Sequence, residues 1–89
     1  MITIVIVNSE EEAAHLNIQE RDNTYISTPY NVATIIGLRA RHVRVYGQPL
    51  ITFDQYRRIK HNLILSHANQ HEVDKLDQAY ASSLKKHRL

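Results

Sequence analysis

Residues 2–12 read ITIVIVNSEEE. Ile2, Ile4 and Ile6 fill one side-chain register, and Val5 and Val7 fill the other beside Thr3. A strand that is apolar on both faces is covered on both, as at the centre of a parallel sheet. Ser9 follows directly, with Glu12 three residues on, which is the spacing of a helix capping box. Glu10, Glu11 and Glu12 place three carboxylates in the first turn, where the helix dipole is positive. A buried strand running straight into a capped helix is the first half of a βαβ unit, and it predicts an α/β fold.

The rest of the chain continues the alternation. Ala13 and Leu16 are predicted to face inward from a short helix. Asn17 takes its left-handed stop, and Ile18 is the apolar residue that follows. Residues 24–27 read as a second, short strand. Thr28 and Pro29 suit the cap and first position of another helix, with Val32, Ile35 and Ile36 as its buried stripe. Gly37 ends that helix, and Leu38 is its apolar follower. Residues 42–46 alternate apolar and polar and predict a third strand, turned by Gly47-Gln48-Pro49. Thr52 and Gln55 repeat the capping-box spacing ahead of a helix whose stripe is Phe53, Tyr56, Ile59 and Leu63. A break over residues 66–69 leads to a last helix, capped from Asn69 to Glu72, with the stripe Val73, Leu76, Tyr80 and Leu84. Ser82 and Ser83 are read as surface residues.

The predicted order is β-α-β-α-β-α-α. Residues 1–89 then form a single minimal α/β domain, with 85–89 as a frayed basic tail. The doubly apolar first strand belongs in the middle of a three-stranded parallel sheet of order 2-1-3. Right-handed crossovers put helices on both faces, giving a small three-layer sandwich of Rossmann-like, doubly wound type. Its crevice is expected at the strands' carboxyl ends, around Asn8, Ser9, Tyr46 and Gly47 with Thr28 nearby; Ser9, Thr28 and Tyr46 are its candidate ligand contacts.

Composition excludes more than it assigns. The chain has no cysteine, so neither a disulfide nor a thiolate metal site can brace it. It has two glycines, both used by the predicted turns, so no glycine-rich phosphate loop can be built. The first strand–helix junction offers a phosphate three carboxylates and no lysine. Residues 35–47, IIGLRARHVRVYG, resemble the helix-glycine-strand passage ahead of the acidic strand in helicase-like P-loop domains. That resemblance implies a nucleotide-binding fold that no longer binds nucleotide, because the phosphate loop and the metal-holding acid are both missing. His67, His71 and Asp74 have a metal-capable spacing, but the helix break falls between the two histidines, and no metal site or cofactor is expected. No serine sits in a nucleophile elbow, so no catalytic residue is expected. The apolar run at residues 2–7 is far short of the ~20 residues of a membrane span and lacks the basic flank of a signal peptide, so the expectation is a cytoplasmic protein.

Charge is the feature that points to a function. The net +2 conceals a division along the chain. Residues 1–38 hold one base against five acids, residues 39–60 six bases against one acid, and residues 61–89 four bases against three acids. Arg39, Arg41, Arg44, Arg57, Arg58 and Lys60 come from a strand and the helix after it, and are expected to converge on one basic surface. Five of the six are arginine, whose forked guanidinium suits carboxylate and phosphate. Three readings compete: the bases pair with the chain's own Glu10, Glu11, Glu12 and Glu20 or are simply solvated; they dock an acidic protein partner; or they contact nucleic-acid phosphates. The leading expectation is a small non-catalytic binding protein of accessory, adaptor or inhibitor type, a kind frequent among bacteriophage products. It docks an acidic partner. A nucleic-acid-associated protein using the same surface and a small-molecule or nucleotide sensor using the strand-end crevice stand as alternatives. Two open sheet edges and a narrow last-helix stripe leave monomer and homodimer both open.

Overall fold

The computed structural model describes residues 2–31, 35 and 37–87. Strand β1 spans Ile2–Ile6, helix α1 Glu10–His15, β2 Thr24–Ser27, β3 Ala40–Val45, α2 Phe53–Leu65 and α3 Gln70–Lys86. The three strands form one sheet in the order β2-β1-β3. Both pairings are parallel, with Val5 beside Ile26 on one side and beside Arg44 on the other. The sequence expectation of a parallel three-stranded α/β sandwich therefore holds.

The doubly apolar first strand explains the layering. Ile4 and Ile6 point to one face, where Val43, Ile35, Ile59, Leu63 and Leu76 close around them. Val5 and Val7 point to the other, where Ala13, Ile18, Ile26 and Tyr46 cover them. Helix α1 thus lies on one face and α2 and α3 on the opposite one. Ile35, from the β2–β3 connection, packs on the α2–α3 face, so the two crossovers use opposite faces as expected. Of the helix expected in that connection, residues 32–34 and 36, including Val32 and Ile36, lie outside the described residues, and 29–30 form a turn. Among the described residues, no helix is long and apolar enough to cross a membrane.

Local chemistry sets the helix ends. Ser9 Oγ accepts the Glu12 N–H at 3.1 Å. Asn17 stops α1 at φ +58°, and the Ile18 N–H returns to the Ala13 carbonyl at 2.9 Å. At α2, Thr52 Oγ1 accepts the Gln55 N–H at 3.1 Å while Gln55 Oε1 accepts the Thr52 N–H at 3.3 Å, a complete capping box. Gly37 and Gly47 both adopt positive φ, at +79° and +66°.

Four expectations about burial are corrected. Leu16, Phe53 and Leu84 are exposed, whereas Ser83 is buried. Leu16 is the residue after α1, and Ile18 takes its expected place in the core. Phe53 opens α2 on its outer face; the buried positions of that helix are Gln55, Ile59, Asn62 and Leu63. Leu84 turns to solvent because Ser83 faces inward, where its Oγ accepts the Ile51 N–H at 2.8 Å. In α2 and α3 polar residues fill inward positions that hydrophobic spacing alone assigns to apolar neighbours. Two boundaries also move. The third strand begins at Ala40 rather than at 42. Helix α3 runs through Lys86, so residues 85 and 86 of the expected tail are helical.

Helices α2 and α3 are clasped by a polar aromatic cluster. Tyr56 and Tyr80 stack with centroids 4.2 Å apart and planes 10° from parallel. The Tyr56 hydroxyl donates to Asp77 at 2.7 Å and accepts from Lys60 Nζ at 3.0 Å. Lys60 is also 3.3 Å from the Asp77 carboxylate.

Candidate functional site

One side chain organises the basic surface. Asn62 is buried on α2, and its Nδ2 donates to the Ile35 carbonyl at 2.8 Å. This bond ties the segment before β3 to the middle of α2. The chain then turns at Gly37 and presents Arg39 to the α2 surface. Arg39, Arg58, His61 and Asn62 line a depression of about 280 Å³. Arg57, Arg58 and His61 line a second one of about 220 Å³ beside it.

Asp54 lies one turn earlier on α2 and serves two of these bases. Its carboxylate accepts from Arg57 at 3.1 Å and from Arg58 at 3.0 Å. Hydrogen bonds from Arg58 first and Arg57 second hold the Asp54 carboxyl below the usual carboxylate range, against a small desolvation effect. Exposed pairs of this kind add little to stability but fix the orientation of the guanidiniums. Arg39 forms no ion pair among the described residues. Arg57 and Arg58 therefore share one carboxylate while Arg39 stands beside Arg58 without it, and each guanidinium keeps free N–H donors for a second acceptor.

The other three predicted bases are elsewhere. Arg41 is exposed and reaches the His67 carbonyl in the α2–α3 turn, at 3.5 Å. Arg44 lies on the free edge of β3 with Lys75 of α3 nearby. Lys60 faces α3 in the tyrosine clasp. Its hydrogen bond to Tyr56, then its pairing with Asp77, raise its pKa above the ordinary lysine value despite some desolvation. The six bases thus occupy several places, and only Arg39, Arg57 and Arg58 share one.

Self-pairing is met in part, by Asp54 on Arg57 and Arg58, while Glu20 is engaged elsewhere. Glu20 Oε1 accepts the Ile26 N–H at 3.1 Å, on the outer edge of β2. Glu72 performs the same service on β3, accepting the Val43 N–H at 3.0 Å. Its other oxygen is 2.9 Å from Lys75 Nζ, and His42 Nδ1 is 3.4 Å from the first. Desolvation would raise the Glu72 pKa, but the Lys75 and Val43 hydrogen bonds and the nearby charges outweigh it and hold the carboxyl below the ordinary glutamate value. Sequence spacing read Glu72 as part of a helix cap; the cap is Asn69 alone, whose Oδ1 accepts the His71 N–H at 2.9 Å.

The expected crevice is divided. Ser9 and Thr28 do line one depression, of about 480 Å³, together with Glu10, Glu11, Tyr30 and Asn31. It lies between the ends of β1 and β2. Both hydroxyls are engaged locally, Thr28 Oγ1 accepting the Tyr30 N–H at 3.3 Å. Tyr46 is not there. It packs against Val5 and Val7 and borders the β3 edge. Between β1 and β3, where a doubly wound fold opens its crevice, Asn8 Oδ1 accepts the Leu50 N–H at 2.9 Å and pins the loop after Gly47 across the strand ends. His67 sits in the interhelical turn at φ +56°, and His71 lies beyond it on α3. Among the described residues no group of three histidines or carboxylates is placed to hold a metal ion.

Compared with protein-family models, with curated proteins and with solved structures, the chain matches none.

Proposed function

We propose that the chain is a small non-catalytic binding protein of accessory, adaptor or inhibitor type, and that Arg39, Arg57 and Arg58 around His61 dock an acidic protein partner. The observation that supports this reading is the grouping of Arg39 with Arg58, and of Arg58 with Arg57, beside His61, with one carboxylate, Asp54, shared by Arg57 and Arg58 and Arg39 unpaired among the described residues. Arginine forks hold carboxylates in a defined plane; Arg57 and Arg58 stand on helix α2, and the Asn62–Ile35 bond ties the segment leading to Arg39 to that helix. Charge arranged in this way steers encounter and selects partners more than it adds raw affinity.

The test uses two baits, the wild-type chain and a triple variant carrying Arg39→Glu, Arg57→Glu and Arg58→Glu. Each is exposed to nuclease-treated extract of the source cell. The expected result is an acidic protein retained by the wild type and lost by the variant, while the variant's circular dichroism is unchanged. Retention of the same proteins by the folded variant overturns the reading, and so does a partner whose capture disappears on nuclease treatment.

A further inference from the structure

We infer that the free edge of β3 is a second interaction surface, built to accept an extended, acidic peptide segment of a partner as an added strand. This inference does not depend on the Arg39 cluster, which lies where the segment before β3 meets α2.

The backbone supplies the first argument. In a parallel ladder, alternate residues turn their N–H and C=O groups to opposite sides of the strand. The Tyr46 N–H donates to the Ile6 carbonyl at 3.1 Å, so Val43 and Val45 direct their groups outward. Val43 confirms this by donating to Glu72. The Val45 N–H has no partner among the described residues. One donor and the neighbouring carbonyls are therefore presented at an edge, which is a template for strand addition.

The helix beside that edge leaves room. Between β3 and α3 runs a groove of about 480 Å³, floored by Val45, Ala79 and Ser82. The same three residues border its continuation of about 260 Å³ toward Pro49 and Lys86. Small side chains at 79 and 82 keep the helix surface low where an incoming strand would lie. Glu72 blocks the edge at Val43 and so sets where the added strand ends. An extended segment of four residues spans roughly 13 Å.

Charge selects the occupant. Among the described residues Arg44, which lines the groove, has no ion pair; Lys75, paired with Glu72, borders it, and Lys86 stands at its far end against the Gln48 amide. A nucleic-acid backbone offers acceptors for the Val45 N–H but no regular donors for the carbonyls. A second copy paired about a two-fold axis near Val45 would bring two Arg44 side chains onto one face of the strand pair, and like charges close across a strand pair are destabilising. An acidic peptide satisfies both the backbone and the charge.

The probe is a synthetic heptapeptide alternating glutamate with valine, titrated into the ¹⁵N-labelled full chain and followed by two-dimensional NMR. Its control replaces each glutamate with lysine. The expected result is movement and slowed solvent exchange of the Val45 amide, with shifts at Ala79 and Ser82, and no response to the control. Ser82→Glu, a helix-compatible change on the exposed side of α3, adds bulk and like charge and should weaken binding by about tenfold or more. The variant with Arg39, Arg57 and Arg58 replaced by glutamate should bind within about twofold of wild type, about 0.4 kcal/mol, which separates this inference from the proposed function. Absence of Val45 shifts at millimolar peptide, unchanged affinity of the folded Ser82→Glu chain, or a peptide-free dimer that already protects the Val45 amide would each overturn it.

Discussion

Replacing Glu72 tests how the molecule closes its own sheet edge. The side chain is nearly buried, at 9% exposure, and joins the Val43 N–H to Lys75. In Glu72→Ala the Val43 N–H loses a charged acceptor on a largely buried site. Hydrogen bonds to charged groups contribute about 1.5–3 kcal/mol, so a loss of about 2 kcal/mol is expected. For a domain of this size that lowers Tm by roughly 8–16 °C. Glu72→Gln keeps a neutral acceptor for Val43 and loses only the charge opposite Lys75, so about 1 kcal/mol is expected. The pH dependence separates charge from packing. The folded carboxyl titrates below the ordinary glutamate value of about 4.3. Its stabilisation is therefore complete above that value and is lost as pH falls through the folded pKa. Thermal unfolding followed by far-UV circular dichroism, from pH 7 down to about pH 3, is the assay. The gap between wild type and Glu72→Gln should be widest near neutrality and should narrow on acidification. A loss below about 0.5 kcal/mol for the alanine variant, within the range of ordinary surface changes, would refute the edge-capping argument. A gap that stays constant across the pH range would refute the role of charge.

Two further expectations concern polar residues that occupy core positions. Ser83→Ala should cost about 1–2 kcal/mol by orphaning the buried Ile51 N–H, whereas Leu84→Ala should stay within about 0.5 kcal/mol; urea unfolding of both variants checks the reversal of the hydrophobic ranking. Gln55→Ala removes half of a capping box and leaves Ser27 Oγ, now bonded to Gln55 Nε2 at 2.8 Å, without its partner. A loss of about 2–3 kcal/mol is expected by the same measurement, and a loss under about 1 kcal/mol would contradict the role given to Gln55.

The sheet was legible because one feature carries it. A strand apolar in both registers has to be covered on both faces, and that places β1 centrally and orders its neighbours. The helix caps were legible because Ser9, Thr52 and Asn17 are chemically suited to positions that backbone geometry demands. The buried faces of α2 and α3 were less so. Gln55, Asn62, Glu72 and Ser83 point inward to meet polar groups 27 to 32 positions away in the chain, and no local spacing encodes such partners. The same limit applies to the basic surface. Charge segregation singled out this stretch of chain, and the structure brings Arg39 and Arg58 to one depression and Arg57 and Arg58 to the next. Lys60 was lost to the tyrosine clasp with Asp77, and Arg44 to the β3 edge, because strand alternation and helix phase send neighbouring bases to different sides. Tyr46 left the expected crevice for a similar reason: it covers Val5 and Val7, while Asn8 ties down the loop that would otherwise frame the opening.

The central claim is that Arg39, Arg57 and Arg58 form a surface for acidic protein. A titration of the ¹⁵N-labelled chain with polyglutamate, and separately with duplex DNA of equal charge, tests it most directly, at low salt and again near 0.3 M, where screening shortens to about 6 Å. The account expects polyglutamate to shift resonances of Arg39, Arg57, Arg58 and His61, more weakly at high salt and not at all in the triple glutamate variant. Polyglutamate shifts at His61 and at positions 39, 57 and 58 that survive in the folded variant, or a response at these residues to DNA alone, would contradict it.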